Sequence, residues 1–483
     1  MAGIKSYGAY IPWYRMDRQA FFNAWGGFPI PGERAIAGFD EDSVTMAWEA
    51  GKDCLQKFDA KTVDGLYFAT TTAPYKEKQG SAILATALDL SREIRIADFA
   101  GSLRAGAIAL GCGLDAVKAG TSKNVLVLSA DTRPGAPAGD LEQTFGDGAA
   151  ALLLGKDGVI ASIEDSYSIA DDFSGVWRAD GDAFVRSWED RMVVEECYAK
   201  ILPEAISGLM KKCNLAAKDF SKVVFDAPPT DIRWRDRLAA KMGFNSGQVQ
   251  DSFVMTIGNT GTALAMMILV SALEEAKPGD KIMFVSLGNG ATALLLEVTP
   301  AIEKLGPRRG IKRHLETKKV LTNYQTYLRW RGLVPITSAQ RPEQPPTSIS
   351  ALSRNRKPIL GLYGVKCKSC GTPQYVVPVG PAGISPARIC VICQTKDKFE
   401  DYRFADKRGT VFSYTHDNLS PSPNPPATVV VVDFDGGGRG TFDLTDREAD
   451  KVAGGMSVEM TFRKLYVDRG IHNYYWKARE IRF

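Results

Sequence analysis

A nine-residue phrase written twice constrains this chain more than any other feature. Residues 146–154 read Gly-Asp-Gly-Ala-Ala-Ala-Leu-Leu-Leu, and residues 288–296 read Gly-Asn-Gly-Ala-Thr-Ala-Leu-Leu-Leu. Each copy follows an apolar helix and then an apolar strand. The first set runs from Gly101 to the strand at 125–130, the second from Gly258 to the strand at 282–287. Matching flanks point to duplication, hence to two α/β halves with equivalent elements. Strands this apolar need cover on both faces, so the halves are expected to pack face to face. The paired helices begin at Ser102 and Asn259, and a site is expected where their N-termini meet.

At 483 residues the chain exceeds one hydrophobic core, and two or three domains are expected. A hydrophobic content of 45% with 24% charged residues is that of an ordinary soluble globular protein. No apolar run approaches the roughly 20 residues that span a bilayer. The opening Met1-Ala-Gly-Ile-Lys-Ser-Tyr-Gly-Ala-Tyr lacks a basic-then-apolar secretion pattern. A cytoplasmic protein with no membrane partner is therefore expected. The net charge of +4 is unevenly placed: residues 304–357 hold 13 Lys/Arg against Glu316 and Glu343. Such a run is either a solvated basic linker or a mouth that attracts a phosphate-bearing ligand. The three histidines, His314, His416 and His472, all lie outside the duplicated region. Proton transfer there has to proceed without imidazole.

The first half reads as a strand at 4–10, a helix at 42–58 capped by Asp40 or Asp42, and a strand at 64–70 entering Thr70-Thr71-Thr72-Ala73-Pro74-Tyr75. A helix at 81–90, an apolar run at 94–99, the Gly101 helix to about 119 and the strand ending at Asp131 follow. The second half offers a helix at 195–213, a buried strand at 223–226 stopped by Pro228-Pro229, a helix at 231–242, the Gly258 helix to about 276 and the strand from Ile282. Alternation of strand and helix predicts two parallel or mixed sheets. Residues 301–360 read as a basic linker with one or two helices. Cys367-Lys-Ser-Cys370, nineteen residues, then Cys390-Val-Ile-Cys393 has zinc-ribbon spacing. Four thiolates close a tetrahedral structural site, whereas a redox pair would leave two of them without a role. Alternating runs at 409–414, 427–434, 440–444, 457–463 and 474–481 fit a small five-stranded barrel of OB type. The expected segments are thus 1–168 and 169–300 for the two halves, 301–360 for the linker, 361–398 for the ribbon and 399–483 for the barrel.

Residues 1–300 resemble the 3-hydroxy-3-methylglutaryl-CoA synthases of the thiolase superfamily. The resemblance rests on Ser6-Tyr7-Gly8-Ala9-Tyr10-Ile11-Pro12, Gly38-Phe39-Asp40-Glu41-Asp42, Ala130-Asp131-Thr132, Gly258-Asn259-Thr260 and Ser286-Leu287-Gly288-Asn289-Gly290. Residues 361–483 resemble zinc-ribbon/OB-fold proteins that accompany thiolase-type enzymes acting on acyl-CoA. The resemblance implies an α/β fold with a duplicated thiolase-like αβαβα core, followed by a rubredoxin-like zinc ribbon and an OB-type β-barrel. It also implies a coenzyme A thioester as substrate, structural Zn2+ on the four cysteines, and a homodimer, with a thiolase-like protein as a further partner. The family's catalytic Cys, Glu and His fall on Leu103, Thr71 and Asp226, so all three are read as replaced. Cys54, Cys112, Cys197 and Cys213 sit in predicted helices and read as core packing.

The remaining candidates serve enolate chemistry. The N–H groups of Leu103 and Asn289 would polarise a thioester carbonyl. Asn259 would hold the same oxygen or cap its own helix. Asp226 would act as base, with burial beside the prolines raising its pKa, or would cap the following turn. Ser102 is a nucleophile without an evident base, Tyr75 a second acid/base, and Asp147 a brace for the Gly146–Gly148 turn. The favoured function is aldol or retro-aldol chemistry on a β-hydroxyacyl-CoA. The alternatives are a Claisen-type acyltransferase, as in the synthases or thiolases, and a non-catalytic scaffold subunit. Nucleic-acid binding is not expected, because the basic excess lies in the linker rather than on the barrel.

Overall fold

The computed structural model describes residues 1–226, 232–337, 346–375 and 387–482. The expected stop at Pro228-Pro229 lies outside the described residues. Two compact units form: Met1–Ala37, Asp42–Ala85 and Leu90–Tyr324 make the first, and Gly38–Glu41, Thr86–Asp89 and Gln325–Phe483 the second.

In the first unit nine strands form a single sheet. They are β1 (Gly3–Tyr10), β2 (Gly65–Ala69), β3 (Arg95–Phe99), β4 (Val125–Thr132), β5 (Asp147–Gly155), β6 (Ala161–Ala170), β7 (Lys222–Val224), β8 (Lys281–Leu287) and β9 (Gly290–Val298). Their order is β3-β2-β4-β5-β1-β6-β9-β8-β7. Outward from the β1–β6 seam, both directions repeat one plan, and the duplicated phrase supplies the equivalent strands β5 and β9. The counterpart of β3 is reduced to a single bridge between Val223 and Val249. Two separate sheets were expected. The structure joins them through Gly3–Ser162 and Ile4–Ala161, which pair backbone groups that would otherwise be left unsatisfied at two buried edges.

Six helices cover this sheet: α1 (Ser43–Cys54), α2 (Gly80–Ala87), α3 (Ala105–Ala119), α4 (Ala199–Cys213), α5 (Ile232–Lys241) and α6 (Leu264–Glu275). Asp42, not Asp40, caps α1, in a reciprocal box with Thr45. α3 and α6 share one apolar layer with Ile4, Val127 and Leu152 from one half and Ile282, Phe284 and Leu294 from the other. Alternate residues of β8, Met283 and Val285, pack instead with Leu202, Ile206 and Leu209 of α4. Period-two alternation along strands covered on both faces thus produces the αβαβα layering.

The paired helices start later than the sequence suggests. α3 begins at Ala105, and α6 follows a 3-10 turn over Gly261–Ala263. The preceding side chains take the first amides: Ser102 Oγ accepts from Arg104 N at 3.3 Å, and Asn259 Oδ1 from Gly261 N at 2.9 Å. These local bonds compete with helix and hold the segments as turns.

In the second unit β10 (Tyr363–Cys367), β11 (Pro373–Gln374) and β12 (Phe399–Arg403) form a small antiparallel sheet. The strands β13 (Arg408–Asp417), β14 (Ala427–Phe434), β15 (Arg439–Asp443), β16 (Ser457–Asp468) and β17 (Ile471–Glu480) follow, in the order β15-β14-β13-β16-β17. A Leu444–Ala478 bridge brings the two edges together, as a closed OB-type barrel requires. Arg463 is fully buried, paired with Asp446 at 2.7 Å and with Glu41. Burial alone would raise the Asp40 carboxyl, but Lys477 and Arg463 hold it below its ordinary value. No described helix is long and apolar enough to cross a membrane.

Gly106 marks where α3 meets the turn leading into α6. A Cβ there would lie 2.8 Å from Thr262 O and 3.0 Å from Met266 Sδ. Gly106→Val is expected to destabilise the first unit by about 1–3 kcal/mol, read as a lowered urea midpoint with unchanged slope.

Candidate active site

A cavity of about 420 Å3 opens in the first unit where the two turns before α3 and β9 converge. Five of the seven expected side chains or amides line it: Thr71, Tyr75, Ser102, Leu103 and Asn289. Ser102 Oγ donates to Gly288 O at 3.0 Å. Arg104 Nη1 donates to Ile169 O at 2.8 Å and Nη2 to Asn289 O at 2.9 Å. The two halves of the wall are therefore clamped together. Gly288 has φ +154, and a Cβ on it would come within 2.8 Å of Arg104 N and 3.1 Å of Leu103 N. Only glycine allows this approach.

Behind Thr71 lies a polar knot centred on Asp131, which is fully buried. Its Oδ1 accepts from Thr70 Oγ1 at 2.9 Å, Thr71 N at 2.8 Å and Thr72 Oγ1 at 2.8 Å. Its Oδ2 accepts from Thr71 Oγ1 at 3.0 Å, Thr262 N at 2.8 Å and Thr262 Oγ1 at 2.9 Å. Arg133 Nη1 donates to Thr71 Oγ1 at 3.0 Å. Burial lowers the Arg133 guanidinium from its ordinary value, while Asp131 and Asp147 act in the opposite direction. Asp147 braces distant segments, accepting from Ala37 N at 2.8 Å and Arg133 N at 3.0 Å.

Asp226 and Asn259 meet each other but are not among the residues lining this cavity. Asn259 Nδ2 donates to Asp226 Oδ2 at 3.4 Å. Tyr198, at the end of a π-turn over Val193–Tyr198, also bonds Asp226. Burial first, and then Asp226, pushes the Tyr198 hydroxyl well above its usual pKa. Cys197 is buried, with the Gly175 amide against its sulfur. Burial raises its thiol to about 11. Among the described residues lining the cavity there is no cysteine, histidine or carboxylate; Lys76, Arg133 and Arg178 supply its charge.

In the second unit the four predicted cysteine ligands, Cys367, Cys370, Cys390 and Cys393, converge. All four sulfurs lie within 4.8 Å of one another, with Cys367–Cys393 at 3.6 Å and Cys370–Cys390 at 3.5 Å. Tetrahedral thiolates about 2.3 Å from one ion would stand roughly 3.8 Å apart, so the set fits a metal. A hydrogen bond with Thr372 lowers the Cys370 thiol to about 6.

Comparison with known proteins places this geometry. The hydroxymethylglutaryl-CoA synthase of Pyrobaculum arsenaticum is 32% identical over 348 residues, covering 69% of this chain and 99% of the relative. That of Methanosphaera stadtmanae is 31% identical over 346 residues, with 69% and 99% covered. The chain belongs to the hydroxymethylglutaryl-CoA synthase family. Residues 402–463 match the family model described as ChsH2, C-terminal OB-fold domain. The structure of MvaS in complex with 3-hydroxy-3-methylglutaryl coenzyme A superposes with a TM-score of 0.60 at 16% identity, covering 71% of this chain and 94% of that one. An HMG-CoA synthase complexed with CoA gives 0.58 at 19% identity, covering 68% and 89%. The 3-oxoacyl-[acyl-carrier-protein] synthase III of Aquifex aeolicus VF5 gives 0.54 at 21%, covering 62% and 100%. These likenesses establish the thiolase-like fold of this family member.

Sequence reasoning missed the knot. A run of three threonines at 70–72 and Asp131 near the end of β4 were both visible, but nothing local says that they meet. It also missed Arg104, Arg133 and Arg178, whose partners lie far along the chain. Asp131→Asn replaces one acceptor oxygen by a donor and sets it against N–H or O–H donors. The expected loss is about 3 kcal/mol or more of stability, measured by chemical denaturation, with Thr262→Val costing less.

Proposed function

We propose that this family member acts on acyl-CoA thioesters, making or breaking a carbon–carbon bond by aldol or retro-aldol chemistry on a β-hydroxyacyl-CoA. The observation that carries this reading is a cationic cavity whose described lining holds no thiol, imidazole or carboxylate. Covalent acyl transfer needs an activated nucleophile, and Leu103 stands where the resemblance puts one. Retro-aldol cleavage needs no acyl-enzyme. A base takes the β-hydroxyl proton, the Cα–Cβ bond breaks, and the electron pair collects on the thioester oxygen as an enolate. The departing carbonyl compound leaves, and the α-carbon is then protonated. The Leu103 and Asn289 amides, with the N-terminus of α3 behind them, are assigned to that oxygen. Tyr75 is assigned as an acid or base in the cavity wall and Thr71 as a positioning group held by Asp131, and Asp226, held with Asn259 outside the described lining, is assigned as base on the position that the resemblance gives it.

A Claisen-type condensation is the second reading, favoured by identity to proteins named hydroxymethylglutaryl-CoA synthases. It would need Ser102, whose hydroxyl already donates to Gly288 O. Asp226→Asn is expected to lower cleavage of β-hydroxyacyl-CoA by 100-fold or more, followed as loss of the shorter acyl-CoA product. An acyl adduct on Ser102, seen by mass spectrometry after incubation with acetyl-CoA, would decide for the Claisen reading. Turnover that appears only after a thiolase-like protein is added would decide for a scaffold subunit.

We assign structural Zn2+ to Cys367, Cys370, Cys390 and Cys393, and propose a cytoplasmic homodimer. Treatment with a strong chelator is expected to release about one zinc per chain and to lower the thermal transition of the second unit, as should Cys390→Ser. A transition indifferent to both would remove zinc from the account.

A further inference from the structure

One wall of the cavity is a short hairpin that neither the proposed chemistry nor the duplicated plan requires. Val176–Trp177 pairs with Arg186–Ser187, in the register Trp177 to Arg186 and Val176 to Ser187. The hairpin is tied down on three sides. Val185 N donates to Pro134 O at 3.0 Å, in the loop after β4. Arg178 Nη2 donates to the Thr71 carbonyl, and Lys76 pairs with Asp180 near the turn. Within the turn, Arg186 bonds both carboxylate oxygens of Asp182, at 2.6 and 3.1 Å. The strand pair is thus a clasp fixed to the two loops that carry Thr71 and Arg133.

What this clasp presents is largely apolar. Val176, Trp177 and Val185 line the cavity together with Leu103 and Ala100, with Ser174 and Arg178 as the polar members of the same segment. Trp177 lies against Trp188, with ring centroids 4.5 Å apart and planes inclined by 38°. Both indoles remain partly open, Trp177 at 37% and Trp188 at 52% exposure. Two large aromatic rings packed together, one of them lining the cavity and both more than a third exposed, have the character of a ligand wall rather than of a folded core. An acetyl group, with two carbons, would touch little of it.

We propose that Trp177, backed by Trp188, selects acyl thioesters that carry a bulky apolar acyl group, by covering that group with indole. This rests on the acyl-CoA reading above and names the substrate class for the same cavity. Small hydrophobic differences in such a pocket discriminate by about 10- to 200-fold, and an indole face offers more area than a methylene.

The test is calorimetric binding of CoA, acetyl-CoA, benzoyl-CoA and cyclohexylpropanoyl-CoA to the full-length chain, its Trp177→Ala and Trp188→Ala variants, and Trp177→Phe. In the wild type the two ring-bearing thioesters are expected to bind at least tenfold more tightly than acetyl-CoA. Trp177→Ala should bring that ratio to within about threefold while CoA itself binds as before. Trp188→Ala should reduce the ratio less, and Trp177→Phe should restore most of it. Equal binding of acetyl and ring-bearing thioesters by the wild type overturns the inference. So does a ratio that survives Trp177→Ala. Failure of every thioester and of CoA to bind would overturn the acyl-CoA reading and this inference together, an outcome distinct from binding without discrimination.

Discussion

The site depends on one buried carboxylate. Asp131 is the penultimate residue of the strand that precedes the first duplicated phrase, and from there it gathers donors from Thr70, Thr71, Thr72 and Thr262. Those donors belong to different halves of the first unit. A group so buried has no water to turn to, so each donor it holds is costly to lose. The result is that the Thr70–Thr72 turn, the end of β4 and the turn entering α6 share one geometry. The cavity wall inherits that geometry through Thr71 and Arg133. The second unit uses the opposite arrangement, a buried Arg463 surrounded by Asp446, Glu41 and Asp40.

The chemistry follows from what surrounds the cavity. The described lining presents cationic side chains, hydroxyls and backbone amides. Such a set is suited to stabilising negative charge that develops on a ligand. Arg104 contributes by holding the Gly288–Gly290 turn against the N-terminal end of α3, so the amides on both sides are pre-placed before any ligand arrives. The Trp177 clasp supplies the apolar part of the same lining.

Much of the scaffold was legible in the sequence because its strands are buried on both faces and therefore uninterrupted in their apolar content. Strand β6 was not, since Glu164, Asp165, Ser166 and Ser168 interleave with its apolar residues, half of it facing outward. The clasp at Val176–Trp177 was invisible for another reason: its stability comes from Pro134, Thr71 and Lys76, far away in sequence. For the site, five expected residues converge on the cavity. Asp226 and Asn259 pair with each other instead of joining the lining, because Asn259 Oδ1 is spent on its own turn.

Sequence alone determined the duplication, the repeated helix–strand units of each half, the four-cysteine knuckles and the five barrel strands. Each of these is written in local periodicity or fixed spacing, which the chain carries wherever it folds. Tertiary structure alone decided that the two sheets join into one, that the paired helices start a turn late, and which polar groups share Asp131. The joined sheets and the Thr262 contacts of Asp131 turn on satisfying buried hydrogen-bond donors and acceptors between residues more than a hundred positions apart, and no local pattern records that pairing.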